Sequence, residues 1–101
     1  MATTKEGLVK KHIKDVLHEL GAWYAMPMGT GYGRSGVPDF ICCLDGRFIA
    51  IEAKANGGKT TALQDRELTR IHEAKGLAIV VDETGLATLA RDLKTLVREI
   101  R

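Results

Sequence analysis

The dipeptide Asp45-Gly46 stands between two eight-residue runs, VPDFICCL (37–44) and RFIAIEAK (47–54). Asp-Gly between strand-forming segments is the strongest short-range signal for a β-hairpin, because a two-residue type I′ turn needs left-handed backbone at both positions. A two-residue loop also fixes the register. Leu44 faces Arg47, and counting back along both strands places Asp39 opposite Glu52. Directly opposed side chains lie about 5 Å apart at Cβ, and like charges so placed are destabilising. A chain that sets two carboxylates against each other needs something to neutralise them.

The remaining elements fall around this hairpin. Leu8, Val9, His12, Ile13, Val16, Leu17 and Leu20 recur at helical spacing, which predicts an amphipathic helix over residues 4–20. Thr3 and Glu6 fit a capping box at its start, and Gly21 fits a stop. Residues 22–28 read as a strand moved towards a sheet edge by Pro27, and a glycine-rich stretch, GTGYGRSG, follows from Gly29 to Gly36. A polar loop leads to a helix from about Ala62 to Lys75, ended by Gly76; 77–82 is a short buried strand; 86–100 is a helix with Leu86, Leu89, Leu93, Leu96, Val97 and Ile100 on one stripe. The order α-β-β-β-α-β-α predicts an α/β domain over 1–101, in which a meander is followed by a helical crossover to one further strand of a mixed sheet.

Several function classes are excluded early. The longest apolar runs, such as Leu77–Val81, are far below the roughly 20 residues that span a bilayer, and Met1–Lys14 is charged with no apolar core of a signal peptide. The expectation is a soluble cytoplasmic protein with no membrane partner. A net charge of +2 is too small to declare a nucleic-acid binder. Cys42 and Cys43 are adjacent, so on a strand they point to opposite faces and cannot chelate one metal together. His12, His18 and His72 lack metal-ligand spacing and read as helix residues, His12 partly packed and the others solvated. Gly31-Tyr32-Gly33-Arg34-Ser35-Gly36 spells a dinucleotide fingerprint, but it runs into a strand rather than opening a helix, so that reading fails on context.

Two things could neutralise the Asp39–Glu52 pair. Lys54 lies two residues beyond Glu52 and therefore on the same strand face, while Ile49, Ile51 and Ala53 occupy the opposite face. Alternatively, a hard divalent cation, which prefers oxygen ligands and keeps several waters, could take both carboxylates and the backbone carbonyl of Ala53. An isolated E-x-K also reads as an ordinary ion network at a sheet edge. Pro38 directly before Asp39, the register, and the adjoining Arg-bearing glycine loop favour a site.

These residues resemble a known nuclease superfamily. Pro38-Asp39, twelve residues (40–51) and Glu52-Ala53-Lys54 match the PD-(D/E)XK signature, and Arg34–Asp39, Glu52–Lys54 and Gln64 look like the VRR-NUC family within it. The resemblance implies a restriction-endonuclease-like αβββαβ core with a four-stranded mixed sheet and an added C-terminal helix. It implies that Asp39, Glu52 and the Ala53 carbonyl bind Mg²⁺ or Mn²⁺, with Glu6 reaching the metal through water. Lys54 would activate the attacking water and stabilise charge on the phosphorane. Gln64 would position Lys54, the water or a phosphate.

The expected activity is metal-dependent, structure-specific DNA endonuclease action, as a homodimeric Holliday junction resolvase in a bacterial or phage-infected cell. A generic or nicking endonuclease of the same fold is the first alternative, and a non-catalytic DNA-binding module the second. Arg34, Ser35, Tyr32 and Lys59 are the expected DNA contacts on loops, whereas Lys10, Lys11 and Lys14 read as a solvated helix face. The last helix and the Trp23-Tyr24 strand are the candidate dimer surfaces.

Overall fold

Asp45 and Gly46 both adopt left-handed backbone, with φ of 52° and 76°, and close the expected type I′ hairpin. The computed structural model describes residues 4–28 and 33–99. They form α1 (Lys5–Glu19), β1 (Trp23–Ala25), β2 (Phe40–Leu44), β3 (Arg47–Ala53), α2 (Ala62–Glu73), β4 (Leu77–Val81), a 3₁₀ turn (Glu83–Thr88) and α3 (Leu89–Glu99). The sheet order is β1-β2-β3-β4, antiparallel through the meander and parallel between β3 and β4. The register runs from Leu44↔Arg47 to Phe40↔Ile51, as the two-residue loop requires.

Alternation along the strands divides the sheet into two unequal faces. Phe40, Cys42, Ile49, Ile51, Ala53, Leu77 and Val81 form one apolar cluster with Val9, Ile13, Val16 and Leu17 of α1 and Leu89, Leu93 and Val97 of α3. Each fully buried Leu, Ile or Phe there contributes about 1.5–3 kcal/mol, so this face holds the fold together. The other face carries α2, whose buried side chain is the carboxylate Glu67 rather than an apolar group.

Several sequence expectations shift in detail. Thr4, not Thr3, caps α1, its hydroxyl accepting from the Gly7 N–H at 2.9 Å; Thr3 lies outside the described residues. Leu8 and His12 are exposed, because the buried stripe centres on Val9 and Ile13. The left-handed residue ending α2 is Lys75, at φ 74°, one position before the expected Gly76. The stretch read as the start of the last helix tightens into the 3₁₀ turn, capped by Asp82 on the Thr84 N–H. Cys42 is buried and Cys43 exposed, as alternation requires.

Candidate active site

The segment leading into β2 is shaped by Gly36. Its φ is +80°, and a Cβ there would fall 2.5 Å from the backbone carbonyl carbon and oxygen of Leu63. Only glycine lets the chain cross the first turn of α2 so closely. Pro38, buried, then directs Asp39 to the end of the hairpin. Asp39 stands where the register places it, just before the ladder begins at Phe40. Its Oδ2 accepts the Ala53 N–H at 2.8 Å. On an extended strand the N–H and C=O of one residue face the same side. The Ala53 carbonyl therefore faces the side on which Asp39 stands, while the next residue, Lys54, donates its N–H to Val81 across the other edge.

Glu52, on the α2 face of β3, is only 3% exposed. Burial, reinforced by a side-chain hydrogen bond with Asp39 and by its charge, pushes the Glu52 carboxyl up to about 7; Lys54 opposes this and Glu6 adds to it. Lys54 Nζ lies 3.7 Å from Glu52 Oε2. Gln64 Nε2 donates to the same oxygen at 3.3 Å. Its orientation follows from α2's own start, where the Thr61 hydroxyl accepts the Gln64 N–H and Gln64 Oε1 accepts the Thr61 N–H. With its oxygen spent on this capping box, Gln64 turns its NH₂ towards Glu52.

From the other helix, Lys10 Nζ stands 3.4 Å from Glu6 Oε2 and 3.5 Å from Asp39 Oδ1. Burial pulls the Lys10 ammonium's pKa down, but the combined attraction of Asp39 and Glu6 outweighs it and raises the value. Glu6, Asp39, Glu52, Lys54 and Gln64 are thus joined directly or through one neighbour, with Lys10 an addition the sequence reading placed on a solvated face. The signal for it was present: Glu6 and Lys10 are four apart, hence on one side of α1.

The cluster has an oxygen-rich donor set. Among the described residues no three His, Cys, Asp or Glu side chains gather as a ready ligand cage. Two carboxylates and a carbonyl suit an ion such as Mg²⁺, which keeps several waters and needs only one or two carboxylates from the protein. Burial first, and Asp39 second through its hydrogen bond and charge, raise the Glu52 pKa, so a cation arriving there would favour its ionised form.

The loop residues divide. Arg34 Nε and Nη2 donate to Glu67 Oε1 and Oε2, the second bond being 3.0 Å, and tie the loop to α2. The Arg34 hydrogen bond, followed by the charges of Arg34, Arg66 and Arg70, holds the Glu67 carboxyl below its ordinary range despite burial. Ser35 and Lys59 are exposed, and Tyr32 lies outside the described residues. Glu67, which the sequence reading missed, is visible in the sequence only as one more polar residue of an amphipathic helix. Beyond Arg34, a groove of about 630 Å³ runs between α2 and the bare part of the sheet, lined by Val37, Pro38, Ile41, Phe48 and Ile71.

The chain matches no protein-family model. It is 32% identical over 95 residues to a curated protein of Acyrthosiphon pisum secondary endosymbiont phage 1 named "Putative nuclease p44", covering 88% of this chain and 95% of that protein. Among solved structures, one described as "VRR_NUC domain" superposes with a TM-score of 0.72 at 28% identity, covering 94% of this chain and 96% of its own. A second, "VRR_NUC domain protein", gives 0.66 at 13% identity over 97% and 92% of the two chains. The Holliday junction resolvase Hjc of Archaeoglobus fulgidus shares the fold more distantly, with a TM-score of 0.51 at 22% identity over 72% of this chain and 65% of that one.

Proposed function

Because the chain belongs to the VRR-NUC family of nucleases, we propose that it is a divalent-metal-dependent DNA endonuclease whose catalytic centre is the Asp39–Glu52–Lys54 cluster. The observation that carries this reading is the convergence of two carboxylates and an ammonium, with Glu52 pushed up to about 7, at the end of the hairpin. Such a pair is costly to bury unless a cation comes to it.

Asp39 and Glu52, with the Ala53 carbonyl, would hold Mg²⁺ or Mn²⁺, and Glu6 would reach it through water. When bound, such an ion polarises a phosphoryl oxygen and makes a nucleophile available at neutral pH. Lys54 orients the attacking water from the side of Glu52 and offsets charge gathering on the phosphate oxygens. Gln64 keeps Glu52 in one rotamer through the cap of α2. Arg34, Ser35, Tyr32 and Lys59 would meet DNA phosphates, Arg34 through the part of its guanidinium that Glu67 leaves open.

Branched DNA comes first among the substrates, because the fold is shared with an archaeal enzyme described as a Holliday junction resolvase. A four-way junction has approximate two-fold symmetry, so paired cuts suit a homodimer. The sheet face that α2 leaves bare supports that assembly: Trp23 and Phe48, 64% and 43% exposed, flank the exposed Cys43 on adjoining strands. Among the described residues no helix is long and apolar enough to cross a membrane. With a phage protein among its relatives, the enzyme would act in the cytoplasm of a bacterial or phage-infected cell.

Purified protein on four-way junctions, flaps and linear duplex, each with Mg²⁺, Mn²⁺ or EDTA, tests the reading. Cleavage in either metal and none in EDTA is expected, junctions cut first, with a dimer by sedimentation. Equal cleavage in EDTA would overturn metal dependence. A monomer that cuts duplex as readily as junctions would leave a generic endonuclease.

A further inference from the structure

We propose that Lys10 is a substrate-binding residue held in reserve: its ammonium occupies Asp39 and Glu6 until a divalent ion takes Asp39, and then passes to a DNA phosphate. This rests on the metal-centre reading above and goes beyond it by assigning a residue and an order of events. Lys10 differs from Lys11 and Lys14 on the same helix, which are exposed, in being half-buried and paired with two acids on different elements. Of the cluster's five charged side chains, Glu6, Asp39 and Glu52 are acids and Lys10 and Lys54 are bases. With both ammoniums in place the site carries at most one net negative charge, too little to attract a dication strongly.

A dication at Asp39 meets an ammonium 3.5 Å from Oδ1, so the two compete for one oxygen. Released, Lys10 stays within reach because its stem is rooted on α1 and its four-carbon chain is flexible. An incoming phosphate supplies the anion it has lost. Metal loading without DNA is thereby weakened, and loading with DNA is favoured. The geometry makes Lys10 oppose the metal and assist the substrate, two effects of opposite sign.

The test compares wild type, Lys10→Met, Lys10→Gln, Lys10→Arg and Asp39→Asn. Mn²⁺ binding is measured by calorimetry without DNA, and cleavage kinetics at saturating Mn²⁺ give KM and kcat separately. Lys10→Met and Lys10→Gln should bind Mn²⁺ about three- to tenfold more tightly, the scale of losing one partly exposed ion pair. They should also raise KM for DNA several-fold, and Lys10→Arg should restore both values. A merely structural role would weaken metal and substrate together. If wild type binds Mn²⁺ through Asp39 but the neutral variants bind it no more tightly, or KM does not rise, the role of Lys10 is wrong. If Asp39→Asn takes up Mn²⁺ as well as wild type does, the metal-centre reading itself fails.

Discussion

Gln64 and Glu52 are joined by a 3.3 Å hydrogen bond whose donor is aimed by the N-terminal cap of α2. The helix cap and the candidate catalytic carboxylate therefore share one side chain. Gln64→Glu keeps a residue that can close a capping box but loses the NH₂ that Glu52 receives. It should leave helix stability nearly unchanged and cut the cleavage rate. Gln64→Ala should lose about 1 kcal/mol of cap stability as well. Thermal melts beside initial rates separate the two effects; a fully active Gln64→Glu would show that the bond has no part in the reaction.

Glu52 should make the metal-free protein less stable as pH rises. Its folded pKa, about 7, lies above the ordinary value of 4.5, so the folded state binds the extra proton. Stability from this group is complete below about pH 4.5, declines through about pH 7 and is flat beyond. Glu52→Gln removes the buried charge. In EDTA at pH 8 it should be more stable than wild type by about 1–3 kcal/mol, the gap closing near pH 4.5, while cleavage is lost. Urea titrations at both pH values check the sign, and a variant less stable at pH 8 contradicts it.

Gly36→Ala should be destabilising by about 2–4 kcal/mol, combining a left-handed backbone penalty with a backbone clash. The new methyl would meet Leu63, so the loop carrying Arg34 would lift from α2 and Asp39 would shift. Both the melting temperature and the cleavage rate should fall. A melting temperature equal to wild type would mean that the loop does not cross α2 so closely.

Cys42 and Cys43 should differ sharply towards a thiol reagent. Burial pushes the Cys42 thiol up to about 12, whereas Cys43 is exposed on the other sheet face. One thiol should react in the native state and the second only after unfolding. Peptide mapping identifies which; prompt labelling of Cys42 would reverse the strand faces.

The hairpin was legible because Asp-Gly fixes the turn and the turn fixes the register. The placing of Asp39 opposite Glu52, with Lys54 on the same strand face, follows from that by counting, while the roles proposed for them come from the family resemblance. Features that join separate elements are not legible. Spacing pairs Lys10 with Glu6, but its approach to Asp39 appears only once α1 is laid against the hairpin end, and the partnership of Arg34 with Glu67 spans 33 residues. Hydrophobic spacing alone makes the apolar stripe of α1 too wide, because it does not say where a buried face ends, and Leu8 and His12 lie outside it. α2 defeats pattern reading more thoroughly, since its buried side chain is a carboxylate. Gln64 was placed in the site, but its bond to Glu52 depends on a cap formed at Thr61, which periodicity does not reveal.

In the metal centre proposed at Asp39 and Glu52, Lys54 assists the chemistry without holding the metal. Calorimetric Mn²⁺ titration and DNA cleavage, measured on the same preparations of wild type, Asp39→Asn and Lys54→Ala, separate these two roles. Asp39→Asn should lose both metal uptake and cleavage. Lys54→Ala should keep metal uptake and lose about 10²-fold or more in rate, as removal of a charge-stabilising group does. Wild-type metal affinity in Asp39→Asn would remove the metal centre from Asp39, and wild-type cleavage by Lys54→Ala would remove Lys54 from the reaction.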